Sequence, residues 1–176
     1  MKTNPKDLAL ISEQLNEIST SILCAIRTKG LQNVFDYKTE HCYRSNYAKR
    51  VAVRKELIEP WRNSLLYVDI NVDDLSVELL SFHSGGELSV HYHSDAYAVI
   101  TFLGEWEGVP EPDGAFYVFG SKNDIHPVVF SKITLQVTPG TLHDFHCLDP
   151  HKDLYCLSVQ SKRIDQDYHR VNTLPE

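Results

Sequence analysis

From Ser64 onward the chain breaks into short β-rich runs divided by turn residues, and this texture restricts it to an all-β body. The runs are Ser64–Ile70, Leu75–Phe82, Leu88–His93, Ala98–Phe102, Ala115–Phe119, Ile133–Thr138 and Leu154–Val159. Between them stand Asn71–Asp74, Ser84–Gly86, Pro110–Gly114, Lys122–Asp124 and Asp149-Pro150, all rich in residues that favour turns. Many short strands with regular turns predict a sandwich or barrel, and no internal repeat is visible. A length of 176 residues suits one domain with a real core.

Two helices are expected ahead of this body. In the first, Asn4 is placed to cap, Pro5 to open the first turn and Asp7 to meet the positive helix end. Leu8, Ile11, Leu15, Ile18 and Ile22 follow at three- and four-residue steps, and Gly30 offers a stop. Such a stripe predicts a face packed on the domain. A second helix is expected over about Tyr47–Ile58, halted by Pro60. The division is then a helical segment at 1–63 and a β-barrel at 64–176, together one structural domain.

A net charge of −7 and the absence of a Lys/Arg block argue against nucleic acid or an anionic membrane as partner. No apolar run of bilayer-spanning length occurs, and the N-terminus does not resemble a signal peptide. Cys24, Cys42, Cys147 and Cys156 are widely spaced and form no CxxC, so reduced thiols in a cytoplasmic protein are expected.

Three histidines carry the chemistry. His91 and His93 are two residues apart, so on a strand they face one way, and His143 follows fifty residues after His93. Three imidazoles suit a borderline divalent metal and leave coordination positions open, as a site that binds substrate needs.

The stretch from Gly86 through His91-Tyr92-His93 to Gly104 resembles the first motif of the cupin superfamily, and Pro139-Gly140-Thr141-Leu142-His143 resembles its second, PxGxxH. The resemblance implies a jelly-roll barrel with His91, His93 and His143 as metal ligands. One position departs. Tyr97 stands four residues after His93, where four-ligand cupins carry a glutamate. A three-histidine site without that carboxylate is more cationic and favours an anionic ligand.

Within the superfamily, His91-Tyr-His93-Ser-Asp-Ala-Tyr97 with the later Leu103-Gly104 is similar to the corresponding stretch of cysteine dioxygenases. The resemblance implies Fe(II) as cofactor, with Zn, Ni or Mn as other candidates, and O2 together with a small anionic molecule as reactants. It also implies an arginine near Arg62 to hold the substrate carboxylate, for which a planar guanidinium is suited; a solvated arginine after a helix is the competing view. That family's histidine and tyrosine on a late strand are replaced here by Ser158 and Gln160, expected to line the substrate cavity. Cysteine itself is therefore doubtful as the substrate. By strand alternation Tyr97 should enter the same cavity as a catalytic hydrogen-bond donor, and Asp95 should either orient a ligand imidazole or form a turn. His83 is expected in a turn, His146 away from His143, and the acidic segment Glu105–Asp113 as a solvated hairpin connection.

The expectation is thus a metal-dependent oxygenase of the thiol-dioxygenase type, monomeric or homodimeric. Its alternatives are a ligand-binding or sensor cupin without catalysis and a Zn- or Mn-dependent lyase or isomerase.

Overall fold

A proline in the first turn and an isoleucine–leucine stripe produce one long helix, α1, over Pro5–Lys29. The computed structural model describes residues 5–43, 48–61, 74–85, 89–162 and 167–171; Asn4 lies outside them. Ile11, Leu15, Ile18, Ile22 and Ile26 are buried along one face of α1. Each contributes about 1.5–3 kcal/mol of transfer free energy, so the stripe, rather than intrinsic propensity, holds the helix on the body. Gly30 ends it with φ +80° and donates its N–H to the Ile26 carbonyl at 2.8 Å. A single turn, α2 (Leu31–Val34), follows.

The second expected helix is a correction. Residues Ala48–Ala52 form a strand, β2, and only Lys55–Ile58 coil, as the one-turn helix α3. Pro60 sits in a 3-10 turn, Glu59–Trp61, just beyond it. Val51 and Val53 are both buried on one side, which is the period of a strand and not of a helix. Pairing with β3 (Ser76–Phe82), in register from Ala48↔Phe82 to Ala52↔Glu78, overrides the local preference. Together with β1 (His41–Tyr43) these residues extend a β-sheet. The β-body therefore begins near His41 and not at residue 64.

The larger sheet has the order β1-β2-β3-β10-β5-β8, with β5 at Ala98–Leu103, β8 at Thr134–Val137 and β10 at Leu154–Gln160. The smaller has the order β11-β4-β9-β6-β7, with β4 at His91–Tyr92, β6 at Phe116–Phe119, β7 at Ile125–Pro127, β9 at His143–His146 and β11 at His169–Arg170. All pairs are antiparallel. From β3 onward the chain passes from one sheet to the other and back, apart from the β6–β7 hairpin. A double-sheet jelly roll winds in this way. The expected strand at Ser64–Ile70 lies outside the described residues.

Alternation then assigns the faces. On β10, Leu154 and Cys156 join Phe82, Phe102, Tyr117 and Phe145 between the sheets, while Leu157 and Val159 join the α1 stripe on the outside. Cys147 and Cys156 are buried, unpaired thiols of the inner core.

The acidic connection after β5 is a further correction. Glu107 is buried, and its carboxylate accepts hydrogen bonds from Arg27 on α1 (2.6 and 2.8 Å), from the Gly104 N–H (3.0 Å) and from the Ser131 hydroxyl. It fastens the helix to the barrel. Gly104 serves close packing more than turning, since a Cβ there would stand 2.2 Å from Glu111 Oε1 and 2.8 Å from Phe130 Cβ. Among the described residues no helix is long and apolar enough to cross a membrane.

Candidate metal centre

β4 and β9 lie side by side with His91 and His143 as a cross-strand pair. His93 follows β4 on the same face as His91. The turn before β9 makes this possible. Thr141 N–H closes on the Thr138 carbonyl at 3.0 Å, with Gly140 at φ +83°, a conformation that demands glycine at the third turn position. Gly140 then donates its N–H to the His93 carbonyl at 2.7 Å, tying the PGxxH turn to the HxH segment.

The three imidazoles are almost wholly buried, and one nitrogen from each lies within 4.8 Å of the others. Each Nδ1 faces a backbone carbonyl: His91 toward Ser89 at 2.9 Å, His143 toward Thr141 at 3.0 Å, His93 toward Asp167 at 2.5 Å. A carbonyl can only accept, so each Nδ1 carries the proton and each Nε2 keeps its lone pair. His91 Nε2 is buried without a hydrogen-bond partner among the described residues, an arrangement disfavoured unless something else occupies that lone pair. Ser89 holds its carbonyl in place from a left-handed conformation, φ +67°, uncommon for a residue with a side chain. Among the described residues the group contains no carboxylate. The donor set fits a divalent transition metal with neutral imidazole ligands.

Burial, reinforced by the neighbouring imidazoles, pushes the pKa of His91 down to about 2 and that of His143 to about 4; burial also lowers that of His93. All three are therefore neutral near pH 7 and ready to ligate. In the unfolded chain they take up protons near pH 6.5. Metal-free protein is thus expected to hold its full stability above that value and to lose it as the pH falls toward 4, by roughly 1.4 kcal/mol per pH unit for each of His91 and His143, with His93 adding in the same direction. Urea unfolding of chelator-treated protein at pH 7 and pH 5 measures this, and equal stability at the two values would contradict it.

Ser158 and Gln160 point inward from β10, level with Ile100 and Ala98 of β5. Both are buried, and Gln160 Nε2 donates to Ser158 Oγ at 2.9 Å while Gln160 Oε1 has no partner among the described residues. They face the interior that the histidines enter from the smaller sheet. Arg62 and Gly86 lie outside the described residues.

Tyr97 is a correction. Its side chain packs among the α1-facing residues, with Ile11, Leu15 and Val99, and not with the histidines. Alternation fails because residues 94–96 bend, their N–H groups captured by the Asp167 carboxylate at 2.7–2.8 Å. The same bend leaves Asp95 exposed and paired with Lys162 at 3.2 Å, away from any ligand imidazole. His83 pairs with Asp153 at 2.6 Å and His146 with Asp144 at 2.9 Å; neither belongs to the histidine group. Sequence reasoning missed Asp167 and Tyr168. The Tyr168 ring stacks on His91 at 4.4 Å and 28°. No spacing signal links them to a histidine more than seventy residues away.

No protein-family model matches the chain, and no curated protein matches it in sequence. Solved structures with a similar course of the chain are distant. KdgF from Halomonas sp. is 12% identical over 76% of this chain and 98% of its own, with a TM-score of 0.49. An oxalate oxidase is 14% identical over 72% of this chain and 56% of its own, TM-score 0.46. An uncharacterized protein with a double-stranded β-helix domain from Klebsiella pneumoniae is 20% identical over 49% and 66%, TM-score 0.39. Likeness at this level carries nothing about chemistry, which rests on the histidine group.

Proposed function

We propose that the chain is a mononuclear Fe(II) oxygenase of the three-histidine, thiol-dioxygenase-like type, with His91, His93 and His143 as ligands and a small anionic substrate. The observation that carries this reading is the convergence of three buried imidazoles, each with Nδ1–H committed to a carbonyl, in a group that holds no carboxylate among the described residues. A bound iron would supply Lewis acidity and one-electron redox chemistry. The protein's part is positioning. The carbonyls of Ser89, Thr141 and Asp167 fix tautomer and ring direction, and the buried surroundings keep the imidazoles neutral. Three neutral ligands leave the positive charge of a divalent ion uncompensated, which favours a thiolate or carboxylate on the substrate. Ser158 and Gln160 present a hydroxyl and an amide oxygen from the facing sheet to orient it, and Arg62 is the proposed partner of a carboxylate.

Protein purified without added metal is expected to carry iron close to one per chain and to consume oxygen when small thiols are supplied. Zinc in that position with no oxygen uptake would overturn the oxygenase reading.

A further inference from the structure

We infer that the segment 167–171 is a clasp that positions the histidine group, with Asp167 and Tyr168 as its positioning residues; this rests on the metal-centre reading above. β4 is two residues long, and its register with β9 consists of the single pair His91↔His143. So short a strand cannot fix two imidazoles by its own pairing. Its other edge is closed by β11, in register His169↔Tyr92 and Arg170↔His91, and Val171 N–H donates to the Val90 carbonyl at 3.1 Å.

Three consecutive residues of the clasp each hold a different part of the HxH segment. Asp167 is 4% exposed. Its carboxylate accepts the N–H groups of Ser94, Asp95 and Ala96 and the Ser94 hydroxyl, and its own carbonyl receives His93 Nδ1–H. Tyr168 lays its ring along His91. His169 stacks on Tyr92 at 5.1 Å and 19°, with Nε2 3.2 Å from both Ser94 Oγ and an Asp167 carboxylate oxygen. His91 and His143 each have a carbonyl two residues earlier as Nδ1 partner, whereas among the described residues His93 has its Nδ1 partner in the clasp. Partners that orient a ligand imidazole are worth about 10- to 100-fold in metal affinity.

The test uses the full chain, freed of metal by a chelator, and Co(II) as probe. Affinity is read by competition with a chromophoric chelator, ligand geometry by the visible cobalt bands, and folding by circular dichroism. Asp167→Ala removes the carboxylate that holds residues 94–96 but keeps the carbonyl facing His93, and is expected to bind Co(II) about 10-fold more weakly, the lower end for loss of orienting contacts, with altered bands. Tyr168→Ala should also bind more weakly, while Tyr168→Phe, which keeps the stacked ring, should bind more tightly than Tyr168→Ala. If Asp167→Ala and Tyr168→Ala both bind within twofold with unchanged bands, the clasp is overturned. Should Asp167→Ala fail to fold, the Tyr168 pair decides: Phe retained and Ala weakened uphold it, equal binding by both overturns it. An unsubstituted chain that takes up no Co(II) defeats the metal reading itself, and the clasp with it, a result distinct from loss in the variants alone.

Discussion

His143→Ala is expected to leave the protein folded and unable to retain metal through desalting. The substitution removes one of three donors, and no carboxylate belongs to the group among the described residues. The loss should exceed the roughly 10- to 100-fold that removing an orienting partner costs, because a donor itself disappears. Oxygen uptake should vanish with the metal. Elemental analysis of the desalted variant beside the unsubstituted protein reads the outcome directly. A variant that keeps one metal per chain would show that His143 is no ligand and that the three nitrogens share 4.8 Å for another reason.

Phe145→Ala should give the largest loss of stability of any single change near the centre, about 3–5 kcal/mol. Phe145 is 1% exposed and lies edge-on to Phe102 at 5.5 Å and to Phe82 at 6.0 Å, joining the two sheets. Its ring also stands 6.0 Å from that of His143, two residues earlier on β9. The cavity would open beside the His143 imidazole, so affinity for the proposed metal should fall along with the urea midpoint. A midpoint shift worth less than about 1 kcal/mol, at unchanged denaturant slope, would mean that the core is not organised around this ring.

His143 illustrates what could be foreseen. His143 stood out because proline and glycine before it announce a turn, and a turn aims the next strand in one direction whatever surrounds it. The α1 stripe was equally legible, because helical periodicity is written locally in Ile11, Leu15, Ile18 and Ile22. Six of the seven expected strands fall on observed ones, although that at Leu88–His93 shortens to His91–Tyr92. Ala48–Ala52 misled because a short segment's propensity is weaker than the ladder it forms with β3. Glu107 read as a solvated acid because nothing in its neighbourhood announces Arg27, 80 residues earlier. Tyr97 misled for a sharper reason. Alternation carries a side chain's direction only while the strand continues, and the Asp167 carboxylate bends the chain between His93 and Ala98.

Local sequence pattern marks the candidate ligands: imidazoles two apart on an extended segment, a third behind a Pro-Gly turn, and a β-rich body to hold them. These follow from local rules of pleat, turn and helix period, which operate over a few residues. Long-range packing places β1 and β2 in the barrel, turns Tyr97 outward to α1, and sets Asp167 and Tyr168 against His93 and His91. Each of these is a contact between segments far apart in the chain. Such contacts are selected by burial and hydrogen-bond satisfaction in the assembled fold, and no local pattern encodes them.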